Sequence, residues 1–526
     1  MKKLIYTTAA ILLLMGASGC KKWLDVNNNP NNPEIVAPNN YLAPIQTNFV
    51  FSQQYDGRYV AKYIQNWAEI TTQDTWDRHG YLFTTADQAS EQWRTVYFLI
   101  GQNLVDMIRL SEEQQRWDLL GIGYVMKAFG WQHLTDTHGE IILKQAFDVS
   151  RKTFDYDAEP DVYIEIQRLL DLAITNLKRT DGAVNQAYLA STDMFFAGDR
   201  LKWLKFAYGL KALNLNHLSN KAALYKPQDV IDAVDLALAG NADNVRLKFT
   251  AAGSTSANFF SPFRGNLTTV RQTNFFVNLL NGNQFGGVVD PRLRRLLFPS
   301  TDGNVYGIDP TFGYGTLTAA QRPTLTVWGT LTSGLNLPAN YVFNDKSSVP
   351  IMTYSELQFI KAEAAYKKGD KAVALDAYRK GIDAHIDFVN IQNAEAGNTA
   401  ISPITSAEKL TFLTSTVVPT NSASLTLSDI MCQKYIALWG WGLNETWADI
   451  RRYHYTDKDP ELPLVQVYKG FTIPAQDRIF SDNLFAPVYR IRPRYNSEWV
   501  WNLAALDKIG GKRLDFHTIP IWITKP

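Results

Sequence analysis

The chain has 526 residues, 46% of them hydrophobic and 20% charged, an ordinary globular composition that excludes disorder and collagen-like repeats. Its 52 Lys and Arg against 51 Asp and Glu leave +1, too little one-sided charge to advertise nucleic acid as a partner. The 14 Trp, 25 Tyr and 27 Phe are the unusual feature, because such rings either pack a core or stack on the flat faces of ligands.

Residues 1–19 read as a secretory signal. Lys2 and Lys3 are basic, Leu4 to Met15 form an apolar run too short to span a bilayer as a mature helix, and Gly16-Ala17-Ser18-Gly19 is a small-residue cleavage zone. Cys20 follows at once and resembles the lipobox cysteine of bacterial lipoproteins, with Ala17 where Leu is commonest, so Cys20 is the expected lipidation site. The Asn- and Pro-rich tract after it cannot be regular helix, and residues 20–40 are predicted to be the lipidated N-terminus and tether. The only other cysteine, Cys432, lies in an apolar-periodic run and is expected to be a buried, inert thiol. No stretch of 18 apolar residues follows the signal, so lipid is the one membrane attachment the sequence predicts.

Helical periodicity then predicts helices over 59–70, 91–110, 115–134, 160–177, 201–218 and 227–239. In the fourth, Pro160 suits a first turn, and Val162, Ile166, Leu169, Leu170, Ala173 and Leu177 form one apolar stripe. Residues 250–350 lose the period and read as loop-rich. Helices return over 354–368 and 371–388, lapse through 391–424, and resume over 428–452. Within 354–388, Gly369-Asp370 breaks the run, and Tyr366, Ala374, Tyr378 and Gly381 carry the small-large-small knobs of a tetratricopeptide-type hairpin. One such repeat needs neighbours to stack on, so the reading is mainly α: tetratricopeptide-like hairpins forming a right-handed scaffold, with residues 41–526 as a single domain carrying loop-rich insertions.

Sequence signatures of catalysis are missing. The chain has no G-x-S-x-G elbow, phosphate-binding P-loop, H-E-x-x-H helix or C-x-x-C pair. His133 and His138 are five apart, the wrong spacing for two metal ligands on one helix face. No metal, no cofactor and no enzymatic activity are expected.

Three ordered blocks carry a family resemblance. Asp193-Met194-Phe195-Phe196-Ala197-Gly198-Asp199 with Lys202-Trp203-Leu204-Lys205-Phe206-Ala207, Tyr354 to Ala364 with Tyr378 and Gly381-Ile382, and Gln433-Lys434-Tyr435 with Glu445-Thr446-Trp447-Ala448-Asp449-Ile450-Arg451-Arg452 resemble segments of the SusD/RagB-type nutrient-binding outer-membrane lipoproteins, in their SusD-like branch. A further family turn survives only as Asp136-Thr137-His138-Gly139-Glu140, without its Pro and Tyr. The resemblance implies a lipid-anchored protein at the cell surface of the outer membrane. It implies binding of oligosaccharide, or of peptide as in some relatives, and delivery to a SusC-like TonB-dependent transporter. Trp203 and Trp447 are expected in the core, and Arg451-Arg452 as a charge pair at a helix C-terminus.

Sugars offer an apolar C–H face and hydroxyls, so ligand contacts are sought where loop aromatics sit beside polar groups. Residues 71–81 fit best, with Trp76 and Tyr81 among Asp74, Asp77 and Arg78; here Trp76 is expected to stack while Asp74 and Arg78 orient the ligand. Trp328 and Tyr341, near Asn344 and Asp345, form a second candidate. Two other classes compete with this reading: a surface glycosidase, which needs paired carboxylates in a cleft, and an adhesion lipoprotein with no concave aromatic site.

Overall fold

The computed structural model describes residues 36–81, 88–330, 332–397 and 401–526, so the signal, Cys20 and most of the tether lie outside the described residues. The described chain is largely helical, with 16 α-helices and only four short strands. Ten helices build the scaffold: α1 (Leu42–Tyr63), α2 (Gly101–Glu113), α3 (Trp117–His138), α4 (Glu159–Lys178), α5 (Arg200–His217), α6 (Pro227–Asp235), α7 (Tyr354–Lys368), α8 (Lys371–Ala396), α9 (Leu427–Leu438) and α10 (Leu443–Arg452). From α2 to α8 each helix packs on the next in chain order, which is how hairpin repeats bury faces that none could bury alone. The stack passes directly from α6 to α7, so the loop-rich segment between them is looped out without interrupting it.

The hairpin α7–α8 shows why the repeat pattern is legible. Thr353 and Glu356 form a reciprocal capping box at the start of α7, and Gly369, at φ +88°, ends it in the left-handed conformation. Gly381 then lets the two helices close, because a Cβ there would lie 2.8 Å from the ring of Phe359. Ala374, Ala377 and Tyr378 are buried beside it.

Two antiparallel ladders fasten the looped-out segment. β1 (Trp67–Glu69) pairs with β3 (Val270–Gln272) in the register Trp67↔Gln272 and Glu69↔Val270, and β2 (Val245–Leu247) pairs with β4 (Val349–Met352). The first ladder sets the chain just after α1 against the insertion.

Several boundaries differ from expectation. The first helix is α1, and 67–69 is strand because its partner is some 200 residues away in sequence, beyond the reach of a periodicity argument. The 91–110 segment is broken by a π-helical turn at Thr95–Leu99, the 428–452 segment is split between α9 and α10, and α8 runs on to Ala396. Asn39, at the end of the expected tether, is buried and donates to Ser191 Oγ at 3.1 Å.

A buried ionic chain locks the scaffold. Arg452 bonds Glu363 at 2.8 Å and Asp449 at 2.5 Å; Lys434 bonds Asp449 at 2.7 Å and Glu445 at 2.8 Å; Glu445 reaches His217 at 2.8 Å, and His217 lies 3.2 Å from Asp136. Tyr163 donates to Asp136 at 2.5 Å, so α3, α4, α5, α7, α9 and α10 meet in one network. The Arg pair closes α10 as the expected helix C-terminal charge pair, and it is fully buried: Arg451 stacks 3.7 Å over Trp447 and donates to the carbonyls of Asp136 and Tyr489. Removing any one partner would strand a charge in a low dielectric, so the residues of these sequence blocks depend on one another energetically.

The block around Asp193 is structural too. Its carboxylate accepts the Trp203 indole N–H at 2.9 Å, the Gly198 amide at 2.9 Å and the Gln46 amide at 2.8 Å, while Asp199 caps α5. Trp203 and Trp447 are core residues, as expected. Cys432 is buried, and burial pushes its thiol up to about 11.

Candidate ligand-binding cleft

The 71–81 loop is built by its own polar residues. Asp74 accepts the amides of Trp76 at 3.0 Å and Asp77 at 2.9 Å, an Asx turn that bends the chain back on itself. Lys62, at the end of α1, bonds both Asp74 and Glu69, and Asp77 accepts the Glu69 amide at 2.8 Å. Arg78 donates to the carbonyl of Arg478 at 2.9 Å and lies against the Phe480 ring, pinning the loop to the C-terminal segment. Asp74 and Arg78 are half-buried and hold the loop rather than facing outward.

The aromatic residues expected to stack on a ligand are core residues. Trp76 is 3% exposed, enclosed by the rings of Tyr59 at 4.6 Å, Tyr63 at 5.5 Å and Tyr81 at 5.2 Å. Tyr81 is buried and its hydroxyl donates to the Gln88 carbonyl at 3.1 Å. Trp328 is fully buried, and Tyr341 lies under Trp439 with its hydroxyl 3.3 Å from His385. The physical reason is the same for all four: a long loop needs apolar anchors, and a large buried ring supplies one. These rings have no face left for a ligand.

Beside the loop lies a cleft of about 390 Å³. Lys62, Asp77 and His79 form one wall, the helix Asn274–Leu280 contributes Asn274 and Asn278, and the turn at Asp309 to Phe312 forms another side. That turn is drawn close by Gly313, at φ +55°, where a Cβ would lie 2.4 Å from the Ile70 carbonyl. Thr311 has φ +70°, a strained conformation for a β-branched residue, and Arg478 donates to its carbonyl at 2.9 Å. Phe312 is 46% exposed, with the Arg478 guanidinium 3.8 Å from its ring centre on one side. A guanidinium stacked on the ring fixes its orientation and leaves an exposed aromatic surface at the cleft.

Two buried polar atoms lining this cleft have no protein partner, Asp77 Oδ1 and Thr311 Oγ1. Such groups are costly unless water or a ligand completes them. Burial and the neighbouring Asp74 carboxylate push Asp77 well above the usual carboxylate range, against the pull of Lys62. Burial works against the charge on Lys62, but Asp74, Asp77 and Glu69 outweigh it and hold the ammonium. Burial lowers His79 to about 3, which keeps its imidazole neutral. The cleft thus offers a buried carboxyl, a hydroxyl, amide groups and one aromatic face.

His133 and His138 do not come together. His133 contacts Gln53 at 3.1 Å and Asn444 at 3.2 Å, whereas His138 contacts the Ile491 carbonyl at 3.0 Å. Among the described residues no group of three or more His, Cys, Asp or Glu is arranged to hold a metal.

A family model described as starch-binding and associating with the outer membrane, of the SusD-like type, matches residues 30–466. The chain belongs to the SusD-like family. Solved structures share the fold of this SusD-like protein at low identity. A SusD/RagB family protein from Bacteroides thetaiotaomicron has a TM-score of 0.72 and 22% identity, with 93% of this chain and 99% of that one covered. A chitin-binding protein has a TM-score of 0.69 at 21% identity, covering 93% and 100%. A SusD homolog from Bacteroides fragilis has a TM-score of 0.69 at 18% identity, also covering 93% and 100%. No curated protein matches the chain.

Sequence reasoning found the loop beside the cleft but missed Phe312, Thr311 and Lys62. A local signal did exist for the turn, the Asp309-Pro310 pair followed by Gly313, yet the β1–β3 ladder and the Thr273↔Ile308 bridge bring it to the 71–81 loop.

Proposed function

We propose that this SusD-like protein is a cell-surface lipoprotein that binds oligosaccharide in the cleft between the 71–81 loop and the Asp309 to Phe312 turn, and delivers it to a SusC-like TonB-dependent transporter. It acts by binding, without cleaving its ligand. The observation that carries the reading is the pairing of the exposed Phe312 face with the unpartnered Asp77 Oδ1 and Thr311 Oγ1. A pyranose presents C–H bonds on one face and hydroxyls at its edge, the complement of that arrangement. The starch-binding description of the family and the chitin-binding structural neighbour support a glycan over a peptide.

Calorimetry with a panel of oligosaccharides and peptides tests this. Phe312→Ala should weaken oligosaccharide binding by about 2 kcal/mol, the scale of an aromatic anchor, while leaving stability within about 0.5 kcal/mol. Binding of peptides alone, or unchanged affinity in Phe312→Ala, would refute the assignment.

In this reading residues 41–526 act as one unit and Cys20 carries the lipid. Acylated chains anchor stably when two or more are present. Cys20→Ala should move the protein from the envelope to the soluble fraction, and mild-detergent purification of the native protein should recover a large outer-membrane barrel with it. Unchanged retention of the variant would refute the anchor, and repeated recovery of a lone monomer the partnership.

A further inference from the structure

A second cavity, of about 400 Å³, lies away from the cleft and has a different chemistry. Its walls are aromatic: Trp93, Tyr97, Phe98, Phe147 and Phe154. Trp93 and Tyr97 have ring centres 4.9 Å apart and Tyr97 and Phe147 6.3 Å, so the rings line one continuous surface. Phe98 is 74% exposed and Val149 93% exposed at its mouth, so two apolar side chains frame the opening.

The backbone around this cavity departs from regular geometry in three separate places. Thr95–Leu99 is a π-helical turn, closed by the Ile100 amide on the Thr95 carbonyl at 2.9 Å. Tyr495–Trp499 is a second π-helical turn, and it supplies Ser497 and Glu498 to the opposite wall. Phe147 has φ +65°, in the left-handed region that a bulky side chain avoids. The π turns add a residue to the helical circuit and rotate the side chains that follow; such turns and strained residues concentrate at functional sites.

The polar lining is mixed, Arg94, Arg151 and Arg494 against Asp148 and Glu498, and the Glu498 carboxylate is already held by Tyr156 and Asn502. Arg94 bonds Glu91 through Nη1 at 2.8 Å, and Arg151 bonds Asp148 through Nε at 3.0 Å. A guanidinium has five donors, so each of these half-exposed or exposed heads keeps donors for a ligand. Ser497 Oγ is buried with no protein partner. Aromatic walls, a basic edge and one orphan hydroxyl suit a ring bearing an anionic group, whereas a sugar would leave its hydroxyls unpaired against these walls.

We propose that this cavity is a second small-molecule site of the protein, taking a single aromatic ring that carries a carboxylate, with the ring between Tyr97 and Phe98 and the carboxylate at Arg94 or Arg151. Calorimetry on the full-length, detergent-solubilised protein with phenylacetate, 2-phenylethanol and acetate tests it. Phenylacetate should bind one per chain, with 2-phenylethanol weaker and acetate silent. Phe98→Ala removes an exposed ring, so it should fold normally and weaken phenylacetate about tenfold or more. Arg94→Gln together with Arg151→Gln should erase the preference for phenylacetate over 2-phenylethanol, and Phe312→Ala should change neither. No saturable phenylacetate binding, full affinity in Phe98→Ala, equal binding of the neutral alcohol by the native protein, or loss of phenylacetate binding in Phe312→Ala would each overturn the proposal.

Discussion

Two regions of the molecule bury polar groups, and they treat them in opposite ways. In the helical stack Glu363, Asp449, Glu445 and Asp136 each meet Arg452, Lys434 or His217, giving a closed ionic chain across six helices. In the cleft, Asp77 and Thr311 each keep a buried polar atom without a protein partner. A network of paired charges specifies one packing arrangement, and orphan atoms lining a cleft are left for water or a ligand to complete. Paired charges mark the scaffold here, whereas orphan atoms mark the cleft only together with its volume and the exposed Phe312, because buried orphans such as the Tyr366 and Tyr378 hydroxyls occur in the helical stack as well.

The largest effect should come from breaking the scaffold side of this contrast. Arg452→Ala would leave Glu363 and Asp449 buried without their guanidinium and should cost about 3–5 kcal/mol in chemical denaturation. A loss below about 1 kcal/mol would mean that the network is replaceable.

Trp76→Ala probes the border between the regions, since this ring is loop in sequence and core in space. Removing a ring packed against Tyr59, Tyr63 and Tyr81 should destabilise by about 3 kcal/mol or more, with any fall in affinity following from the disturbed loop. A variant of native stability with abolished oligosaccharide binding would return Trp76 to the ligand site.

A third test is the pH dependence of the scaffold. Burial alone would lower His217, but Glu445 and Asp136 outweigh it and raise the imidazole from 6.5 to about 10. A folded value above the unfolded one means that its contribution is complete below pH 6.5 and is lost as pH rises toward about 10. Burial and Glu445 raise Glu356 from 4.5 to about 8, so stability also falls through that lower window. Denaturation midpoints should therefore decline on the alkaline side, and His217→Gln should flatten the decline above pH 6.5; an unchanged slope in that variant would remove His217 from the account.

What was legible in the sequence follows the reach of each interaction. Apolar stripes act over three or four residues, and they located α3 through α7 to within a few residues, as did the Gly369-Asp370 break between α7 and α8. The strand at Trp67–Glu69 and the turn at Phe312 depend on pairing between distant segments, so no local period announced either. The loop aromatics misled for a related reason. Trp76 has no helical stripe of its own, yet its surroundings come from α1 and from Tyr81, and burial is decided by those neighbours rather than by local spacing. The doublet Arg451-Arg452 was legible as a helix C-terminal charge pair beside Asp449, but its burial was not, because Glu363 lies on another helix.

A crystal structure with an oligosaccharide that binds in solution tests the central claim most directly. The account predicts a sugar ring on the exposed face of Phe312, with hydroxyls within hydrogen-bond distance of Asp77 Oδ1 and Thr311 Oγ1. A sugar bound elsewhere, with Asp77 and Thr311 still lacking a partner, would contradict it.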